Sequence, residues 1–161
     1  MHGSITRFLG QLARRGSWVG GGSAAALSAA VAAALLQKLI QDRRTSRRLE
    51  RIRQECVGLV QADAAAFARV IRATRSRRPE AFRRSLKQAI EVPCRVFIHA
   101  QTIQALCRAT HRAINPRFRS DLRCARALAR ATGESARGFI DTNLAWLDDP
   151  AYSRRVRRQL R

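Results

Sequence analysis

Acidic residues are scarce in this chain: 11 Asp and Glu stand against 32 Lys and Arg, for a net charge of +21. That imbalance points to a negatively charged partner, unless it reflects a genomic preference for arginine. Aromatics make up only 6% of the residues, and few of them interleave with the basic ones, which are spread along every predicted helix. Neither a base-stacking platform nor a single recognition helix is visible, so nucleic acid is an allowed partner and not the favoured one. Cysteine is sparse too. Cys56, Cys94, Cys107 and Cys124 never form the close pairs that zinc ligation uses, which argues against a metal and for small buried thiols. No alternating strand pattern, internal repeat or low-complexity tail is present. A basic-then-apolar leader is also missing, and the apolar run over residues 24–36 is too short to span a bilayer. The expectation is a cytoplasmic protein without a membrane association, its 161 residues forming one domain over 1–161.

What the chain does contain is organised around Gly20, Gly21, Gly22 and Ser23, followed by an alanine-rich run to Leu39. Three glycines strip a turn of side chains, and Ser23 is placed to cap the helix that follows. A helix start of this kind leaves backbone N–H groups free to meet a carboxylate, a phosphate or an electron-rich ring. The same four residues are also linker composition, but the alanines downstream argue for order. Alanine at so many positions lets neighbouring helices approach on several sides, which suits a central element.

Around it the apolar periodicity predicts an all-α bundle of four to five main helices. A short amphipathic helix uses Ile5, Phe8, Leu9 and Leu12 and stops at Gly16. A long third helix, capped by Ser46, carries the stripe Leu49, Ile52, Cys56, Leu59, Asp63, Phe67 and Val70. Pro79 opens the fourth helix, which Pro93 should kink or interrupt because its ring clashes with the preceding turn. Ser120 is the expected cap of the fifth, with Asp121 in the first turn and Asn143 on the inward face. Asp149 followed by Pro150 repeats the cap-then-proline signal for a short basic closing helix.

Two polar groups on apolar stripes carry the chemical interest. A carboxylate at Asp63 costs free energy unless it is hydrogen-bonded, paired or used. The amide of Asn143 can tie two helices or hold a heterocycle. Asn115, Arg119, Ser120 and Asp121 gather at another helix start. If all of these meet the glycine turn, they make a pocket of backbone donors, carboxylates and an amide, suited to acid/base work on a carbon–nitrogen bond. His99 and His111 lie about three turns apart and do not recommend themselves as a catalytic pair.

The order of several short motifs resembles the formiminotetrahydrofolate cyclodeaminase and methenyltetrahydrofolate cyclohydrolase family. They are FLGQLA at 8–13, GGGSAAALSAAVAAAL at 20–35, DAAAF at 63–67, AIEVP at 89–93, SDLRCARAL at 120–128 and NLAWLDDPAY at 143–152. The resemblance implies an all-helical homodimer that binds a reduced folate, a tetrahydrofolate derivative that is itself the substrate, without a metal. Related cyclodeaminases release ammonia and form the 5,10-methenyl compound; related cyclohydrolases add water to that bridge. Carried onto this chain, Gly20, Gly21, Gly22 and Ser23 line the folate, with Asp63 and Asp121 as proton movers. Asn115, Arg119, Ser120 and Asn143 then serve as binding groups. A polyglutamate tail is a polyanion that Arg117, Arg119 or the arginines of the 75–78 turn could attract. The departures are Val19 where relatives carry proline, Ile114 where they carry glycine, and a polar segment over 37–43. A divergent non-catalytic binding protein is the alternative these departures keep open.

Overall fold

The computed structural model describes residues 2–76 and 78–160; Arg77 of the basic turn lies outside them. Among the described residues there are six α-helices, rather than four or five, and no strand. They are α1 (His2–Ala13), α2 (Gly21–Leu39), α3 (Arg43–Arg75), α4 (Pro79–Thr110), α5 (Arg119–Leu147) and α6 (Pro150–Gln159). Helices α2 to α5 form an antiparallel bundle. In it α2 packs on α3 and α5 and reaches across to α4, which itself packs on α3 and α5.

The small residues of α2 explain its central place. Ala25, Ala26, Ala29, Ala30, Ala32 and Ala33 are all buried, so three helices come close to one axis. At 19 residues α2 is long and apolar enough, by length and composition alone, to cross a membrane. The expectation of a run too short to span is corrected in that sense, because the helix begins before the alanines and ends after them. Large side chains fill the bundle on either side. Leu36, Leu49 and Ile103 are fully buried in one layer, and Leu86, Ile90 and Ile140 are buried in the other. Truncating Leu36 to Ala should cost about 2–5 kcal/mol.

The helix starts differ from the serine caps expected. Gly20 is the N-cap of α2 and offers no side chain. Asp42 caps α3 in place of Ser46, its carboxylate accepting from the N–H groups of Arg44 and Thr45 at 3.4 and 2.8 Å. A carboxylate wins there because it presents two acceptor oxygens to the positive end of the helix. Ahead of α5 a 3-10 turn over Pro116–Phe118 intervenes, capped by Asn115, so that Phe118 precedes the helix and Ser120 is already inside it. Pro79 does open α4, and Asp149 does cap α6, accepting from the Tyr152 N–H.

Two other sequence positions resolve plainly. Pro93 does not interrupt α4, which runs through it from Pro79 to Thr110. Ile114 is 6% exposed and joins the core. Its backbone is not left-handed, since Asp148 is the only non-glycine residue described there. The loss of glycine at 114 therefore strains nothing.

Candidate functional site

The first turn of α2 opens into a cavity of about 270 Å³. Gly20, Gly21 and Gly22 form one wall, Asp63 and Phe67 of α3 another, Ala89 and Pro93 of α4 a third, and Phe139, Asn143 and Trp146 of α5 the fourth. Trp18, on the approach to α2, leans edge-on against Phe67 with ring centroids 6.1 Å apart. Trp18, Phe67 and Trp146 remain 45%, 42% and 56% exposed, so the mouth is aromatic. Ligand cavities typically begin near 300 Å³; this one suits a ring system whose remainder extends outward.

Two of the three glycines have a steric reason to be there. A Cβ at Gly22 would overlap Asp63 Oδ1, and one at Gly21 would lie 2.6 Å from Phe139 Cζ. Gly20 has nothing within 4 Å and faces open space. With no side-chain cap on α2, the N–H groups of Gly21 and Gly22 have no intrahelical partner.

Asp63 is pressed against this helix start. The Ser23 hydroxyl donates to Asp63 Oδ2 at 2.8 Å and also lies 3.1 Å from the Val60 carbonyl. Ser23 is therefore a buried donor inside α2 and not its cap. Burial pushes the Asp63 carboxyl above its ordinary value, while the Ser23 hydroxyl and backbone N–H pull it part of the way back. The net result is a carboxyl that holds its proton more tightly than a surface aspartate.

Asn143 has a structural job at the same place. Its Nδ2 donates to the Ala89 carbonyl at 3.2 Å. That carbonyl is the one Pro93, four residues on, has no N–H to satisfy. The amide therefore ties α5 to α4 beneath the cavity.

The other predicted site residues lie elsewhere. Asp121 pairs with Lys38, in the last turn of α2, at 3.3 Å. Lys38 is about 25 Å along the axis from Gly21. Asn115, Arg119 and Ser120 share that far end, so the chain does not bring the two clusters together. His99 sits on the side of the bundle with Nε2 3.0 Å from Glu55 Oε2, and burial lowers its pKa despite that carboxylate. Among the described residues no three of His, Cys, Asp and Glu gather closely enough to hold a metal.

Sequence reasoning missed the aromatic frame, although its signal is simple. Phe67 follows Asp63 by four residues, while Phe139 precedes Asn143 by four and Trp146 follows it by three. Those spacings put each ring on the face of its polar neighbour.

The sequence profile of the formiminotransferase-cyclodeaminase family matches residues 4–161. The chain belongs to that family. Among solved structures, the formiminotetrahydrofolate cyclodeaminase of Thermotoga maritima aligns with a TM-score of 0.85 at 22% identity, covering 97% of this chain and 85% of its own. At that identity the likeness establishes a shared fold. A search of curated protein sequences finds no match. Of the motifs that resemble the formiminotransferase-cyclodeaminase family, the glycine turn, the Asp63 segment and the Asn143 segment converge on one cavity, whereas the Ser120 segment does not reach it.

Proposed function

We propose that the protein is a folate-dependent one-carbon enzyme that makes or opens a carbon–nitrogen bond of a 5,10-methenyl bridge, with Asp63 as its proton-transfer group. The observation that carries this reading is the position of Asp63, a half-buried carboxyl of raised pKa at an uncapped helix start inside an aromatic cavity.

Both reactions of the family use such a group. In cyclodeamination a folate nitrogen attacks the formimino carbon, and the bond from that carbon to the imino nitrogen breaks as ammonia leaves. The departing nitrogen must be protonated and the attacking nitrogen must lose its proton, so Asp63 in its acid form supplies the first proton and its carboxylate then takes up the second. In cyclohydrolysis water adds to the methenyl carbon, the Asp63 carboxylate takes the proton that water loses, and it returns a proton to one ring nitrogen as that nitrogen's bond to the carbon breaks. Trp18, Phe67 and Phe139 sandwich the heterocycle by their faces and edges, and the Gly21 and Gly22 N–H groups meet its oxygen or electron-rich atoms.

A binding protein without turnover is the second reading. It is favoured by the bond from Asn143 to Ala89, which commits the amide to structure. The cavity beside it is nevertheless open.

The enzyme works as a homodimer in this reading. No residue from 16 to 37 is charged, in a chain where 27% of residues are, yet Val31 on the outer face of α2 is 47% exposed. A second copy presenting the same neutral face would cover it where the repulsion between the two positive bodies is least.

Turnover assays decide between these readings. Purified protein given 5-formiminotetrahydrofolate should release ammonia with methenyl formation, or should hydrolyse 5,10-methenyltetrahydrofolate. Asp63→Asn should lower the active reaction by about 10²-fold or more. Neither reaction in a folded, folate-binding protein would favour the binding reading.

A further inference from the structure

The basic residues look dispersed along the chain, but the fold collects many of them at the end of the bundle opposite the cavity. There α2 ends, α3 begins, α4 ends and α5 begins, as the pair between Lys38 and Asp121 establishes. Arg108 and Arg112 from the end of α4 and Arg123 and Arg126 from the start of α5 border an open concavity of about 570 Å³. All four are exposed. A second concavity, about 900 Å³, is bordered by Arg43, Arg44, Arg47 and Arg51 in the first turns of α3.

Local electrostatics make this arrangement unfavourable in isolation. The starts of α3 and α5 are the positive ends of their helix dipoles, where carboxylates stabilise and arginines repel. The carboxylates that border this end are already engaged. Asp42 caps α3, Asp121 pairs with Lys38, and Glu50 lies 3.9 Å from Arg53. Among the described residues none lies within ion-pair distance of the eight arginines that border the two concavities. The positive potential reaches inward as well, since Arg126 and Arg108 both oppose the rise that burial imposes on the Cys107 thiol.

An external polyanion removes that repulsion, and guanidinium groups match phosphate oxygens in pairs. Phe118, 42% exposed, stands between Arg117 and Arg119 in the turn that leads into α5, at the same end of the bundle. We propose that this arginine-rich end of the bundle binds the phosphate backbone of a single nucleic-acid strand, without base-sequence selection. Stacking on Phe118 and charge on both flanks is the combination that single strands use. The site is independent of the folate reading, because it lies a bundle length away from the cavity.

The test is fluorescence anisotropy of a short labelled oligothymidylate over a salt series. The wild type is compared with Arg108→Gln/Arg112→Gln/Arg123→Gln/Arg126→Gln, and with a control that removes equal charge from α6, Arg154→Gln/Arg155→Gln/Arg157→Gln/Arg158→Gln. The first variant should lose about tenfold or more in affinity, and its log–log salt slope should fall by about 3, roughly 0.7 for each phosphate no longer neutralised. The α6 variant should keep the wild-type slope. If the first variant does not fold, Arg123→Gln/Arg126→Gln on the exposed face of α5 should lower the slope by about 1.4. Equal losses in both quadruple variants would overturn the proposal in favour of diffuse charge, and no binding by the wild type would overturn it outright. Tighter, Arg123-dependent binding to phosphatidylserine vesicles that the oligonucleotide fails to displace would also overturn it, assigning this end to a lipid surface.

Discussion

Asn143 on α5 donates its side-chain N–H to the carbonyl of Ala89 on α4 at 3.2 Å, the carbonyl that Pro93 leaves without a helical donor. A proline inside a long helix is thus accommodated by an amide from its neighbour, and the repair forms the floor of the cavity. The proline and the inward asparagine, separate signals in the sequence, are two halves of one arrangement.

Asn143→Ala should therefore destabilise the fold by about 1 kcal/mol, the cost of leaving a part-buried carbonyl without its donor. In a Pro93→Ala background the new backbone N–H can serve Ala89, and the same substitution should cost clearly less. Urea unfolding of the four proteins in this cycle measures the coupling. Equal costs in both backgrounds would show that the amide serves something other than that carbonyl.

The glycines of the turn should separate by role. Gly22→Ala, whose Cβ would overlap Asp63, should lose about 1–3 kcal/mol of stability by overpacking and should displace the carboxyl. Gly20→Ala meets nothing within 4 Å and should change stability by less than about 0.5 kcal/mol. Thermal melts of both variants check the contrast.

The raised pKa of Asp63 makes a signed prediction. Its folded value lies above the unfolded value of 3.8, so between the two the native state binds the extra proton. Stability from this group is complete below 3.8 and falls as pH rises through the folded pKa. Relative to the wild type, Asp63→Asn should gain stability with rising pH over that window and then level off. A pH-independent difference would mean that Asp63 is not desolvated as described.

The thiols should differ in reactivity. Burial pushes Cys56 up to about 12, and Cys94 and Cys107 up to about 11, leaving almost no thiolate at neutral pH. Cys124 is exposed. A disulfide reagent should consume one thiol per chain quickly in the native protein and the rest only after denaturation. Rapid loss of more than one would contradict the burial of α3 and α4.

Much of this architecture is legible from periodicity. The apolar stripes mark α3, α4 and α5, because burial of one face is what an outer helix of a bundle must achieve, and the alanine run marks α2 as the helix approached from several sides. Asp63 and Asn143 stand out as polar interruptions of those stripes, and both reach the cavity. The serines misled for a physical reason. Ser23, Ser46 and Ser120 have the right chemistry to cap, but the cap is whichever residue has a backbone that departs from helical geometry, and Gly20, Asp42 and Phe118 do so here. Ser23 was taken up by a carboxylate forty residues away, which no local pattern reveals. The Ser120 cluster could have been separated from Asn143 by counting, since 23 helical residues span about 35 Å.

Calorimetric titration with tetrahydrofolate and 5-formyltetrahydrofolate at moderate salt tests whether the glycine turn and Asp63 bound a folate site. Wild-type protein should bind saturably with one site per chain. Gly21→Val, whose side chain would drive into Phe139, should abolish that binding while keeping its helical circular dichroism. Absence of binding by the folded wild type, or undiminished binding by the variant, would rule out a folate site at the glycine turn.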